Sequence, residues 1–343
     1  MGRQRQLNVV HQGDCIEILG GESEPFVDLV FADPPFNIGY TYDAYDDNVD
    51  GEQYVAWSRA WMQACVNVLK PHGSFYIAIG DDYVAQLRLV GRDLGLELRN
   101  WIIWNYTFGQ NTKTKFARAH THILYFVKDK DNFVFNGRQV RFPSARHTEY
   151  NDKRADPWGR VPDDVWSDFP RVCGTFKERA GWHGCQMPEA LLMRIIRASS
   201  NPGDVVLDPF AGSGTTPVTA AKLDRKYVGI DISESYVKHT RMRLAEATSA
   251  DQPVTQYPGW SRLAVDTLAS MYRETNTALQ NLIHNGVAMD CFVRLLNVRL
   301  DAEYTVAEVT EQLGDLERRN ELPRLRNDRP WTPRQRGAER KAV

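Results

Sequence analysis

Two apolar runs of strand length, each closing on an aspartate that opens a turn, constrain this chain more than any other feature. Val27 to Ala32 leads into Asp33-Pro34-Pro35-Phe36, and Val205 to Asp208 leads into Pro209-Phe210-Ala211-Gly212-Ser213-Gly214-Thr215-Thr216. Further strands are expected at Leu7 to Val10, Ser74 to Ile79, Leu98 to Trp104, His122 to Val127 and Tyr227 to Asp231. Helical periodicity fills Gln53 to Leu69, Asp82 to Leu94, Pro188 to Ser199, Thr215 to Leu223 and a stretch from Glu234. Such alternation predicts an α/β fold with a mostly parallel sheet covered on both faces by helices. Open sheets of that kind bind ligands at the carboxyl ends of their strands, where both aspartates fall.

The chain has 343 residues, 42% of them hydrophobic and 25% charged, ordinary values that exclude disordered and fibrous classes. No apolar run is long enough to span a bilayer and no signal-peptide core follows Met1, so a cytoplasmic location is expected. The five cysteines show no metal-ligand spacing, and neither a disulfide framework nor a metal is expected. The net charge of −2 hides an asymmetry. Residues 1 to 100 hold 15 acidic and 7 basic residues, whereas 113 to 179 hold 14 basic and 9 acidic, and the tail from 318 to 343 holds 9 basic and 3 acidic. Local basic segments of this kind suit phosphate contact or a solvated face.

The glycine turn after Asp208 joins a strand to a helix, where backbone can approach a ligand and the helix offers free N–H groups. Asp231 closes the next strand, in position to hydrogen-bond the ribose of an adenosine-containing cofactor, with Ile232 beside it. Pro217 breaks a dinucleotide glycine pattern, and no lysine follows Gly214 as a nucleoside triphosphate loop requires. Asp33 and the Pro34 carbonyl are both acceptors, suited to taking the two hydrogens of an exocyclic amine. Pro34 and Pro35 hold that acceptor rigidly, and the Phe36 ring offers a stacking face for a base.

Taken together, the turn at Asp33, the loop from Asp208 to Thr216 and Asp231 resemble the β class of amino-group DNA methyltransferases, in which the catalytic motif precedes the cofactor motif. The resemblance covers about residues 7 to 248. It implies a Rossmann-like S-adenosylmethionine-dependent methyltransferase fold with circularly permuted motif order. It further implies S-adenosyl-L-methionine as cofactor, with the loop around its methionine part and Asp14 and Cys15 near its adenine. For Asp14, His183 and Cys185, capping or packing remains an equal reading. Met187 stands where many relatives carry lysine before the proline.

The resemblance also implies an organisation: residues 1–128 as the catalytic half, 129–182 as an inserted target-recognition region and 183–249 as the cofactor half; beyond it, the pattern of residues 250–343 reads as a helical extension with a basic tail. In that extension Thr305 to Glu308 forms a capping box for a helix running through Leu313, with Gly314 suited to its C-cap. The partner is double-stranded DNA, with a homodimer and a cognate restriction endonuclease as further partners. Tyr40, Lys113, Lys115, Arg118, Arg160, Lys177 and Arg179 are the expected DNA contacts. The loop Asn37 to Asp50 either closes over a flipped base or lies exposed.

The resulting expectation is site-specific transfer of a methyl group to adenine N6 of a base flipped out of the duplex, with no covalent enzyme intermediate. Aspartate in the first catalytic position favours adenine over cytosine N4, the alternative on the same fold. A protein-glutamine methyltransferase is disfavoured by motif order, and a non-catalytic DNA-binding protein by the intact Asp33 and glycine loop.

Overall fold

The computed structural model describes residues 6–110, 112–174, 178–249 and 259–325. Its first half alternates as expected: β1 (Val9–Gln12), α1 (Cys15–Gly20), β2 (Val27–Ala32), α2 (Gly51–Val68), β3 (Leu69–Ile79), α3 (Val84–Asp93), β4 (Glu97–Gln110) and β5 (Arg118–Val127). Two short turns of helix, α4 (Gly137–Val140) and α5 (Ala145–Thr148), and the two-residue β6 (Val165–Trp166) punctuate the next segment. Regular structure resumes with α6 (Glu189–Ser199), β7 (Val205–Asp208), α7 (Thr215–Lys222), β8 (Lys226–Asp231) and α8 (Glu234–Ser249). The chain closes on α9 (Arg262–Thr275), α10 (Leu279–His284), α11 (Gly286–Leu300) and α12 (Val306–Arg318).

All eight strands form one sheet in the order β1-β8-β7-β2-β3-β5-β4-β6. Pairing is parallel from β1 through β3, and β5 then runs antiparallel to both β3 and β4. β2 and β7, far apart in sequence, are direct neighbours through Leu29↔Val206 and Val30↔Leu207. From that seam the chain winds one way through α2 to β3 and the other way through α7 to β8, which opens a crevice at the strands' carboxyl ends.

Two cores lie on the two faces of the sheet, and the strand residues alternate between them with period two. Val30, Ala32, Phe75, Ile77, Leu124 and Phe126 pack with Tyr54, Trp61 and Leu87 of α2 and α3. Leu29, Phe31, Tyr76, Ala78, Ile123 and Tyr125 pack with Leu191, Leu192, Ile195 and Ile196 of α6. Asp28 interrupts the apolar run of β2, and its buried carboxylate is satisfied by Lys70 Nζ at 2.9 Å, His72 Nε2 at 3.0 Å and the Val205 N–H at 2.9 Å. One side chain thereby ties β2 to both neighbouring strands.

The helices α9 to α12 build a further core that Trp158 of the inserted segment joins. Arg299 on α11 donates to the Arg141 carbonyl at 2.8 Å and Gln139 donates to the Val298 carbonyl at 3.1 Å, so the insertion and the C-terminal helices are packed together. Gly314 does not cap α12, correcting the sequence expectation: the helix continues to Arg318 because Leu313 and Leu316 both belong to that core. The capping box at its start is present as expected, with Thr305 and Glu308 exchanging hydrogen bonds. Among the described residues no helix is long and apolar enough to cross a membrane.

Candidate active site

Because β2 and β7 are neighbours, the turns at their carboxyl ends meet. Asp33, Pro34, Pro35 and Phe36 form one wall of a cavity of about 670 Å³, and Asp208 to Ser213 with Thr215 and Thr216 form another. Gly13, Asp14 and Cys15 after β1, Asp231 at the end of β8 and Ile232 after it extend it. Every expected catalytic residue and every expected cofactor residue except Gly214 lines this one space.

Asp33 opens partly onto the cavity and is otherwise enclosed, and among the described residues no donor engages its carboxylate. Burial, reinforced by the nearby Asp208, pushes its carboxyl up to about 8, against a lowering pull from Arg171. The Pro35 carbonyl is taken by the Tyr54 hydroxyl at 2.6 Å, whereas no donor among the described residues takes that of Pro34. One acceptor of the turn is therefore anchored to α2 and its neighbour is left for a ligand.

The second wall is acidic as well. Asp208 is pushed up to about 7 by burial, even though its oxygen accepts the Phe210 N–H at 3.0 Å. Asp231, expected against a ribose, has a structural task too. Its oxygens accept the Gly212 N–H at 2.7 Å and the Ser233 N–H at 2.8 Å, which fixes the glycine turn, while the residue still lines the cavity. Gly212 has φ +47°, and a Cβ there would stand 2.9 Å from His183 Nε2. Gly214, at φ +76°, packs on Thr240 instead of the cavity, so its glycine is demanded by the α7–α8 contact. Phe210 is held edge-on by Trp61 at 5.1 Å between ring centres.

Asp14 caps α1 by accepting the Ile16 N–H at 2.6 Å and also lines the cavity, so both readings of it hold. Burial pushes the Cys15 thiol up to about 12, which keeps it an unreactive packing group. His183 is kept neutral by burial and by Arg243, its value lowered to about 4.

The loop after Phe36 is clamped rather than free. Asp47, 2% exposed, accepts the backbone N–H of Asn37 at 2.7 Å, Ile38 at 3.1 Å and Tyr40 at 2.9 Å. Asn37 exchanges hydrogen bonds with the Val49 backbone at 2.8 and 2.9 Å. Tyr40, Tyr42 and Cys185 line the same cavity.

The expected DNA contacts scatter. Arg118 lines the cavity mouth, held by Asp81 at 2.8 Å and Asp82 at 3.2 Å. Lys113 and Lys115 are exposed just before it. Arg160 pairs with Asp163 at 3.2 Å over the Phe142 ring, and Arg179 donates to the Gly174 carbonyl at 3.2 Å, both away from the cavity wall. Lys177 and the basic tail beyond residue 325 lie outside the described residues. Arg171, Asp43, Asp47 and Tyr54 were not singled out from sequence. Of these, only Arg171 sat in a segment whose basic character marked it.

Asp81, His120 and His122 each bring one ligand-capable atom within 4.8 Å of the others. His122 Nδ1 accepts the Trp101 indole N–H at 3.0 Å, so the neutral ring keeps its proton on Nε2, directed at Asp81 at 3.0 Å. With Arg118 on its second oxygen, Asp81 is the hub of a hydrogen-bonded cluster that holds Arg118 at the rim.

Comparison with known proteins gives this geometry its context. Type II methyltransferase M.HpaI of Haemophilus parainfluenzae is 38% identical over 67% of this chain and 72% of its own length. DNA adenine methyltransferase YhdJ of Escherichia coli K12 is 37% identical over 70% of this chain and 83% of its own. A candidate DNA modification methylase of Thermus thermophilus, solved with S-adenosyl-L-methionine, superposes with a TM-score of 0.52 at 25% identity, covering 74% of this chain and 96% of that one. The cytosine-N4-specific PvuII DNA methyltransferase shares the fold, with a TM-score of 0.55 at 20% identity over 70% of this chain and 89% of its own. The family model for DNA methylases matches residues 27–242, from the first residue of β2 well into α8. Its span takes in both aspartate turns, the seam between their strands and the cavity they enclose, and on that match the chain belongs to the DNA methylase family.

Proposed function

We propose that this protein transfers the methyl group of S-adenosyl-L-methionine to the N6 amino group of adenine in double-stranded DNA, on a base flipped into the cavity. The observation that carries this reading is the unpartnered Asp33 carboxylate beside the open Pro34 carbonyl, at the mouth of a second, acidic strand-end turn. The adenine specificity draws on the naming of YhdJ as a DNA adenine methyltransferase.

The cavity suits the cofactor by its donor set. Asp14, Asp33, Asp208 and Asp231 surround it; burial with the charge of Asp208 raises Asp33, burial with the charge of Asp231 raises Asp208, and a bound cation offsets both. Asp208 to Thr216 would hold the methionine part, and Asp231 with Ile232, Asp14 and Cys15 the adenosine. The cofactor supplies an electrophilic methyl group on a positively charged sulfur.

Asp33 accepts one N6 hydrogen and the Pro34 carbonyl the other, which favours a pyramidal nitrogen with its lone pair free. Phe36 stacks on the base, and the prolines keep the acceptors from following it. As the nitrogen gains the methyl group it becomes acidic, and its surplus proton passes to the nearest Asp33 oxygen. Burial raises the basicity of this carboxylate, and the positive charge of the bound cofactor favours its ionised form, which leaves it free to receive that proton.

A type II restriction setting, with a cognate endonuclease alongside in the cytoplasm, is part of the same proposal, prompted by the type II naming of M.HpaI. The test is incubation with radiolabelled S-adenosyl-L-methionine and unmethylated duplex DNA, followed by digestion to nucleosides. Label in N6-methyl-2′-deoxyadenosine is expected. Label in N4-methylcytosine would overturn the choice of base, and no label in DNA would overturn the reaction.

A further inference from the structure

Phe116 is the most exposed large apolar side chain among the described residues, at 101% relative accessibility. It stands at the turn between β4 and β5, in the run Thr112-Lys113-Thr114-Lys115-Phe116-Ala117-Arg118, where it is the one large apolar residue. A lone exposed apolar residue is commonplace on a protein surface. This one differs in its surroundings. Lys113 and Lys115 are exposed beside it, and Arg118, two residues on, is part of the cavity wall. Two residues of extended chain span roughly 7 Å, about two base-pair steps.

The backbone there is built for a protruding tip. Pairing between β4 and β5 is regular from Ile102↔Ile123 to Asn105↔His120 and then jumps to Gln110↔Arg118, leaving surplus residues on β4. Such irregularities bend the strand and re-aim the residues beyond them. The Thr112 hydroxyl closes the turn on the Lys115 carbonyl. Arg118 is fixed in place by Asp81 and Asp82, so the base of the tip is anchored at the cavity rim.

The cavity receives its base only if the base leaves a duplex, and the gap left behind exposes the faces of the neighbouring pairs. Filling that gap needs an aromatic or apolar side chain, close to the cavity mouth, free of protein contacts and carried on a segment that phosphates attract. Phe116 meets each of these conditions. We propose that Phe116 is a wedge that enters the base stack of duplex DNA at the target site and occupies the space vacated by the flipped base, with Lys113 and Lys115 on the flanking phosphates. The proposal rests on the reaction proposed above, and it assigns Phe116 a positioning role, since it touches neither the cofactor nor the reacting amine.

The test compares Phe116→Ala with the wild type on two duplexes, one with the target base correctly paired and one with it mispaired. A mispaired base is already loosened, so a wedge matters less for it. For the paired duplex kcat/KM is expected to fall about ten- to hundredfold, by analogy with the loss of one base-stacking contact. On the mispaired duplex the loss is expected to shrink to about threefold or less. Phe116→Trp should retain most of the activity. Because the side chain is fully exposed, the melting temperature and the affinity for S-adenosyl-L-methionine should not change. With 2-aminopurine at the target position, the fluorescence rise that reports flipping should be smaller for Phe116→Ala than for the wild type.

Wild-type activity of Phe116→Ala on the paired duplex overturns the wedge. An equal loss on paired and mispaired targets overturns it too, by showing only a binding contact. If the wild type itself methylates no DNA, the underlying reaction fails, an outcome distinguishable from both.

Discussion

Replacing Asp33 with Asn should stabilise the protein while abolishing its activity, and the stabilisation should depend on pH. The carboxyl rises from its ordinary 3.8 to about 8 through burial and the neighbouring Asp208. Between these values the native state binds a proton that the unfolded chain has released. Stability therefore falls as pH rises from about 4 to about 8, and levels off once both states are ionised. By pH 7 this loss has accumulated over roughly three pH units, a ceiling of ~4 kcal/mol at about 1.36 kcal/mol for each. Asp33 opens onto the cavity, so solvent reduces this to roughly 1–2 kcal/mol. Asp33→Asn keeps the shape without the charge and should melt higher than the wild type at pH 8, by roughly 1.5–3 °C for a chain of this length, with little difference at pH 4. Calorimetry of both proteins at pH 4, 6 and 8 reads this directly. Asp208, itself pushed up to about 7, titrates in the same range, so Asp208→Asn serves as the companion variant that separates the two. Methyl transfer by Asp33→Asn should drop at least ~100-fold, since an amide cannot accept the surplus proton. An unchanged melting temperature at pH 8, or a shift of equal size at every pH, would refute the account of Asp33 as a strained, solvent-poor carboxyl.

Other perturbations follow from the same geometry. Asp47→Ala removes the acceptor of three backbone N–H groups and should cost about 2–4 kcal/mol, with faster amide exchange confined to residues 37–50. Glu274 lies buried between Arg299 at 2.9 Å and Arg194 at 3.5 Å, and these arginines hold its carboxyl below the usual range against the effect of burial. Arg194 keeps Asp168 at 3.2 Å, but Glu274→Ala leaves the buried Arg299 guanidinium without its carboxylate and should cost about 3–5 kcal/mol in denaturant titration. Gly212→Ala places a Cβ 2.9 Å from His183 Nε2 at a φ of +47°. It should weaken S-adenosyl-L-methionine binding at least tenfold by calorimetric titration, with partial recovery in the Gly212→Ala/His183→Ala double variant.

How much of this was legible in the sequence depends on which interactions leave a local pattern. β2, from Val27 to Ala32, and β7, from Val205 to Asp208, have the bounds the sequence suggested, because short, mostly apolar runs rich in β-branched residues and closed by proline turns fit strands better than helices. The antiparallel direction of β5 was not legible, since side-chain periodicity is the same in either direction. The task of Asp28 was not legible, because Lys70, His72 and the Val205 amide that satisfy it come from elsewhere in the chain. Asp47 was invisible for a similar reason: its partners are backbone amides, which carry no sequence signature. Gly314 misled because a glycine after an apolar stripe reads as a helix stop, whereas Leu316 beyond it is packed in the C-terminal core. The Asp33 turn and the glycine loop read correctly as partners only because a family pattern joined them; spacing alone gives no contact across 175 residues.

That long separation costs the fold little. The entropy of closing a loop grows only with the logarithm of its length, about 0.6 kcal/mol per doubling, so β2 can pair with β7 across a long excursion almost as readily as across a short one. The contacts that decide the neighbour are local to the seam: Leu29 against Val206, Val30 against Leu207, and the Asp28 carboxylate on the Val205 amide. Either half can therefore come first in the chain without altering the cavity at the seam. The excursion itself becomes free to acquire length and charge. Its basic segment packs on α11 through Arg141 and Trp158, yet Arg171 lines the cavity close enough to bias Asp33. Through Arg171 the inserted segment is thus electrostatically coupled to Asp33, the proposed acceptor of the amine hydrogen, and substitutions at Arg171 should shift the acid limb of the pH–activity profile upward before they alter the fold.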